Sequence, residues 1–445
     1  MSFLDKIFVS KTQKLAHNQD ALEFINSTSD GCEQWFDQGH DDNVYSEESK
    51  KVALSYIKEF GLEKNSKDFI FLPELKSAIA DYFKRSDIKC DVGNIIARAG
   101  IFEFLQDLYQ ILAFKNDEKI LFSLPVSSYF VQHCYDREIA AEFLNTDYHN
   151  NWKINFSDLE DKLKNNKIRI LFLNDPNNTT GKVLDQKDVL NLVNVLKNHK
   201  DLLVIVDESL KEMALSEKIE SLSLAANNEI APQIITLSSL KCYGLSSLEI
   251  VFACIRQKSI ITELFSEKLN VSYVNQQIAI AALASNEDNQ RYLSDVIEQC
   301  SNNSVMVWEE LLEINKNLSR KFGKKDDFIK PLLDGIKTGD SMLLQFSGLK
   351  GSQTEVDKKT LKTDLDIAEF LKKEANIIMM PGQCYFLPEE EMILRLYLLK
   401  SKQELRAGFA RISQALMKLH VITNNVSHAK FSSLELDSEK KSNAL

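Results

Sequence analysis

The stretch KIRILFLNDPNNTTGKVL, Lys167 to Leu184, decides the fold. Ile168, Ile170, Leu171, Phe172 and Leu173 form an apolar run interrupted only by Arg169, the pattern of a buried strand. The second half, Asp-Pro, Asn-Asn and Thr-Thr-Gly, is turn chemistry. A helix follows, VLDQKDVLNLVNVLKNHK, with Asp185 near its start and basic residues at its end. The same alternation repeats outward. IIARAG reads as a strand and turn, IFEFLQDLYQILAF as an amphipathic helix, and KILFSL as a short buried strand. Beyond the central stretch, LLVIVDE, QIITLSS and LEIVFACI read as strands.

Apolar strands alternating with helices predict an α/β fold with a mainly parallel sheet covered on both faces. In such sheets ligands bind beyond the carboxyl ends of the strands. The residues at those ends are Gly100, Pro125 to Tyr129, Asp175 to Gly181, Asp207 to Leu210, and Ser238 to Lys241. After about residue 300 the pattern changes. SNNSVMVWEELLEINKNLSRKFG reads as a long helix, LDIAEFLKKEANIIMMPG as helix, strand and turn, MILRLYLL as a strand, and KQELRAGFARISQALMKL as a closing helix. The expected division is an N-terminal segment, 1–85, contributing to a smaller α+β domain; a large domain, 86–300; the rest of the small domain, 301–424; and a polar tail, 425–445.

With 445 residues, 44% hydrophobic and 27% charged, the chain can bury a large core. Its 54 basic and 65 acidic residues give a net charge of −11, which argues against nucleic acid or an anionic membrane as the main partner. The first twenty residues lack the apolar core of a signal peptide. No window has the roughly 18 apolar residues of a membrane span. Seven dispersed cysteines without a C-x-x-C suit free thiols in a reducing cytoplasm, and the dispersed histidines offer no metal site. Only 14 glycines stand in the chain, so Gly-rich cofactor loops must be absent or modified.

Four fragments in order carry a resemblance. NDPNNTTGKVL resembles the N-P-x-N-P-T-G loop of class I/II aminotransferases of fold type I, which use pyridoxal 5′-phosphate (PLP). VIVDESL resembles that family's D-E-x-Y strand end, and SSLK its S-x-S-K lysine loop. MPGQCYF with LRLYLL resembles its C-terminal P-G-x-x-F and R-[LIV]-x segments. The resemblance spans residues 95–420. It implies a large domain with a seven-stranded central sheet plus a smaller α+β domain, a homodimer, and an amino-acid substrate. PLP chemistry needs an amine that forms a Schiff base and then acts as acid and base; by resemblance that is Lys241. Asp207 matches the pyridinium partner, and Asn178 the amide near the phenolic oxygen and substrate. Ser238, Gly100 and the backbone of Ile101 and Phe102 at a helix start match the phosphate cup. Arg395 matches the carboxylate clamp.

The chain departs from the family at several points. The phosphate-gripping arginine falls on Glu249, the tyrosine after the Asp strand on Leu210, and the proline after the loop Asn on Thr179. The ring-stacking aromatic falls on Ser127, with Tyr129 or Phe130 as substitutes. Leu240 precedes the lysine where a small polar residue is usual, and Phe71 replaces a glycine near the N-terminus. The resulting expectation is a PLP-dependent enzyme acting on an α-amino acid, foremost an aminotransferase. A PLP-dependent lyase or cyclase, or an aminotransferase-like binding protein without activity, are the alternatives. Taken singly, each residue also has a plain reading: a turn lysine at 241, a turn cap at Asp207, an ion pair from Arg395 to the Glu389–Glu391 run.

Overall fold

The computed structural model describes residues 46–60, 69–115, 117–213, 223–266, 268–324, 327–332 and 338–421. The tail expected at 425–445 and most of the expected 1–85 segment lie outside them.

Seven strands form one sheet: β1 (Ile95–Ala99), β2 (Lys119–Ser123), β3 (Ala140–Leu144), β4 (Ile168–Asn174), β5 (Leu203–Asp207), β6 (Ile234–Ser239) and β7 (Ile250–Ile255). Their order is β1-β7-β6-β5-β4-β2-β3. The pairs from β6 to β3 are parallel, and only β7 runs antiparallel to both of its neighbours. The apolar run of β4 is explained by its two faces. Leu171 and Leu173 join Val204 and Val206 in one core, while Ile170 and Phe172 join Ile205 and Ile235 in the other. Burying each such side chain contributes about 1.5–3 kcal/mol, so both faces must be apolar.

Eleven helices of more than one turn surround this frame among the described residues. They are α1 (Glu47–Phe60), α2 (Pro73–Lys84), α3 (Ile101–Leu112), α4 (Ser128–Tyr135), α5 (Phe156–Asn165), α6 (Gln186–Asn198), α7 (Lys258–Leu264), α8 (Tyr273–Leu283), α9 (Glu287–Phe322), α10 (Asp364–Ala375) and α11 (Lys402–Leu416). Side-chain caps fix several starts: Asp185 accepts from the Asp188 N–H at 2.8 Å, and Asn286 from Asn289 at 2.8 Å. Ser401 and Glu404 form a reciprocal capping box.

A second, antiparallel sheet has the order β8 (Lys330–Pro331), β9 (Ser341–Gln345), β11 (Ile393–Tyr397), β10 (Met380–Pro381). Two boundaries differ from the sequence reading. The division expected at 300/301 falls inside α9, a 36-residue helix without Gly or Pro that begins at its Asn286 cap. Helix α2, expected with the small domain, packs on α8, β1 and β7, and its Tyr82 hydroxyl meets Ser238 of β6.

Candidate active site

The loop after β4 is organised by its own amides. Asn174 donates through Nδ2 to the Asp207 carbonyl at 3.1 Å and accepts the Asn178 N–H at 2.7 Å, so it ties the loop to the end of β5. Asn177 Oδ1 accepts the N–H groups of Thr179 and Thr180, each at 3.0 Å. Thr179 thus uses a donor that the family's proline lacks. The buried Asp175 carboxylate accepts the Leu184 N–H at 2.9 Å, and burial pushes its pKa up to about 7. The loop ends with its Asn178 carbonyl accepting from Ser341 Oγ at 3.0 Å.

Asp207 closes β5 as a buried carboxylate whose Oδ1 accepts the Ser209 N–H at 3.0 Å. Burial raises it above the usual carboxylate range, against the opposing pull of Ser209 and the Lys241 charge. Lys241 opens a single 3₁₀ turn, Lys241–Tyr243, just beyond β6. Gly244 ends that turn at φ 69°, a left-handed residue where glycine is unstrained. The lysine is half-buried, with its side chain 31% exposed, and it faces a residue the sequence reading did not single out.

That residue is Asp340. Its Oδ2 lies 2.9 Å from Lys241 Nζ, and its Oδ1 lies 3.6 Å from Arg395 Nη2. Its side chain is 1% exposed. Burial pushes its pKa up, but the Lys241 ammonium and the Arg395 guanidinium outweigh burial and hold it below the usual range. The approach is built by the chain before β9. Gly339 has φ +92°, and its N–H donates to the Met213 carbonyl at 3.1 Å. Thr338 Oγ1 donates to the same carbonyl at 2.6 Å, and the Asp340 carbonyl accepts from Leu398 N at 2.6 Å. Leu210, standing where the family has tyrosine, is buried and would lie 3.5 Å from a Cβ at Gly339. The smaller Leu210 side chain leaves that room to the Gly339 turn.

Arg395 sits at the centre of β11, opposite Leu343 and Met380. Its Nη1 donates to the Tyr385 hydroxyl at 3.2 Å and its Nη2 to the Asn178 carbonyl at 3.4 Å. In the Glu389–Glu391 run, Glu391 instead accepts from Gln345 at 2.6 Å. Lys241, Asp207, Asn178 and Arg395, four expected residues from four chain segments, therefore converge around Asp340 and the end of β5.

The expected phosphate end is less uniform. Gly100, at φ +93°, precedes α3, and a Cβ there would meet nothing within 4 Å. No side chain caps this helix start, but Glu103 folds back so that its Oε2 accepts the Ala99 N–H at 2.6 Å, which puts a carboxylate where an anion would otherwise be favoured. Phe102 is largely exposed and lies 5.9 Å from the Phe130 ring. Phe130 packs 4.9 Å from Phe172 in the core, whereas Tyr129 points outward, 49% exposed. Ser238 is fully buried, and its hydroxyl lies 2.9 Å from that of Tyr82. Glu249 is exposed at φ 53°, one residue before Ile250, the partner of Ala99 in β1. An acid thus stands beside the Gly100 turn.

These residues fit PLP at its ring end, where an accessible amine, a buried carboxylate and an amide loop meet. At the phosphate end the fit rests on the Gly100 turn and the start of α3 alone, with the acids Glu103 and Glu249 beside it. The sequence reading missed Asp340 and Tyr385, although the glycine in Thr338-Gly339-Asp340 marks a forced turn ahead of a strand. Among the described residues no group of three or more His, Cys, Asp or Glu could hold a metal ion, and no helix is long and apolar enough to cross a membrane. The described cysteines are buried and unbridged.

Comparison with known proteins places this geometry. The family described as aminotransferase class I and II matches residues 36–412. The chain is 24% identical over 387 residues to a probable aspartate/prephenate aminotransferase of Rickettsia typhi, covering 82% of this chain and 87% of that protein. It is 29% identical over 197 residues to a histidinol-phosphate aminotransferase of Pelagibacter ubique, a match spanning 44% of this chain and about half, 52%, of that protein. The crystal structure of an aspartate aminotransferase from Rhizobium meliloti superposes with a TM-score of 0.73 at 18% identity, covering 94% of this chain and 97% of that one.

Proposed function

Because the chain belongs to the aminotransferase class I and II family, a PLP-dependent enzyme family, we propose that the cluster at the end of β5 is its amino-transfer site. When bound, PLP supplies an electron sink that eases proton removal at the substrate carbon. Lys241 would hold the cofactor covalently and would supply the amine that moves the proton at that carbon. Asp207 is a buried carboxylate suited to pairing with the ring nitrogen. Asn178, in the loop tied to the end of β5, would stand beside the ring and substrate. Arg395 grips the α-carboxylate with a planar fork that matches its two oxygens. Gly100, Ile101 and Phe102 offer the phosphate the start of α3. The amino group passes from an α-amino acid to an oxo acid in two half-reactions.

The observation that carries this reading is the convergence of Lys241, Asp207, Asn178 and Arg395. The same reading includes a homodimer, a cytoplasmic location, and a large domain on the seven-stranded sheet beside a smaller one, with α9 running across the division between them. The test is a screen of amino donors with PLP and an oxo acid. Lys241→Ala should reduce any turnover by at least about 10³-fold, the scale expected when a covalent and proton-transfer group is lost. Turnover by the variant at the wild-type rate would sink the assignment.

A further inference from the structure

The site is charge-balanced from within. Its two cations are Lys241 and Arg395, and its two buried carboxylates are Asp207 and Asp340. Asp340 is poised between the cations, 2.9 Å from one and 3.6 Å from the other, and nothing in the proposed chemistry above uses it. The charges acting on Asp340 come from Lys241 and Arg395, and Asp207 feels Lys241 among its neighbours. Asp340 is also held rigidly. Its carbonyl is tied to Leu398, the preceding Gly339 to Met213, and the following Ser341 to the carbonyl of Asn178. These bonds fix the main chain that carries the carboxylate, and the side chain is held by its pairs with Lys241 and Arg395.

We propose that Asp340 is a specificity-determining residue, which restricts the site to amino acids carrying one carboxylate and a neutral or cationic remainder. The inference rests on the function proposed above. With Lys241 committed to the cofactor, a single substrate carboxylate shares the fork of Arg395 with Asp340, whose Oδ1 lies 3.6 Å from Nη2. A second carboxylate finds Arg395 already shared and Lys241 taken by the cofactor, and it meets the like charge of Asp340 in a partly dry site. Dicarboxylic amino acids are therefore turned away. A hydroxyl, ammonium or guanidinium on the substrate side chain finds in Asp340 an acceptor instead.

The experiment uses the full chain loaded with PLP and measures by calorimetry the binding of two non-reacting probes, butanoate and succinate. Wild type should bind butanoate more tightly than succinate. Asp340→Asn should raise succinate affinity by at least about tenfold and butanoate affinity by less, since the like charge is removed at nearly constant shape. A gain of affinity is the informative sign, because damage to the fold would weaken both probes. The wild-type preference needs no variant, so the test survives a misfolded one. Succinate binding to wild type as tightly as butanoate, or an Asn variant that changes neither, overturns the inference. Failure of Lys241 to take the cofactor would instead remove the site assignment itself, and is read separately from the absorption spectrum.

Discussion

In the protein without cofactor, removing the Lys241 charge should strand Asp340, and the cost can be worked from the geometry. Breaking a fully buried ion pair by deleting one partner costs roughly 3–5 kcal/mol, because a charge stays behind without its counter-ion. Here the carboxylate is 1% exposed but the lysine is 31% exposed. Arg395 also remains 3.6 Å away as a second counter-ion. Both features reduce the loss, to about 1–2 kcal/mol for Lys241→Met. Asp340→Asn removes the stranded charge, so Lys241→Met should cost little in that background. The double-mutant cycle should give a coupling of about 1–2 kcal/mol, read from urea midpoints at constant slope. The sign with pH follows from Asp340's lowered folded-state pKa. Its contribution is present above the unfolded value near about 3.9 and is lost as pH falls through the lower folded value. The coupling should therefore hold from pH 5 to 7 and shrink as pH falls below the unfolded value of about 3.9. Equal cost of Lys241→Met in both backgrounds at pH 7 would refute the reasoning.

Two further outcomes follow from the same loops. Gly339→Ala should destabilise the chain by about 1–2 kcal/mol, because φ +92° is outside the ordinary range of L residues although a Cβ there would find room against Leu210; an unchanged thermal midpoint would count against the forced turn. Asp175 has a folded pKa of about 7, raised by burial, so it favours the folded state when protonated, and that contribution fades as pH rises from about 4 through 7. Asp175→Asn should thus flatten the fall of stability across that window, and an identical pH profile for variant and wild type would contradict the assignment.

The large sheet was legible wherever a strand is buried on both faces. β4, β5, β6 and β7 are near-continuous apolar runs, and each was readable at its place. β3 was not, because Ala140–Leu144 is mostly half-buried at the sheet edge and carries Glu142, which pairs with Lys119 and Lys162. The start of α9 was missed because Glu287–Val296 is mostly polar and declares itself only through the Asn286 cap. At the site, the four ordered fragments pointed to residues at strand ends, of which Lys241, Asp207, Asn178 and Arg395 converge. Asp340 was not legible, because its meaning depends on tertiary contact with Lys241 and Arg395, and Gly-Asp-Ser alone reads as a turn. The contact between the Ser238 and Tyr82 hydroxyls was equally invisible, because it joins β6 to a helix residue 156 positions earlier in the chain.

The central claim is that Lys241 is the cofactor lysine of this chain. The most direct measurement is the absorption spectrum of the purified protein with PLP, followed by borohydride reduction and peptide mapping. The account predicts a visible cofactor band that reduction fixes onto the peptide containing Lys241, and no such fixation in Lys241→Ala. A spectrum unchanged by PLP at saturating concentration, or a cofactor fixed on another lysine, would contradict it.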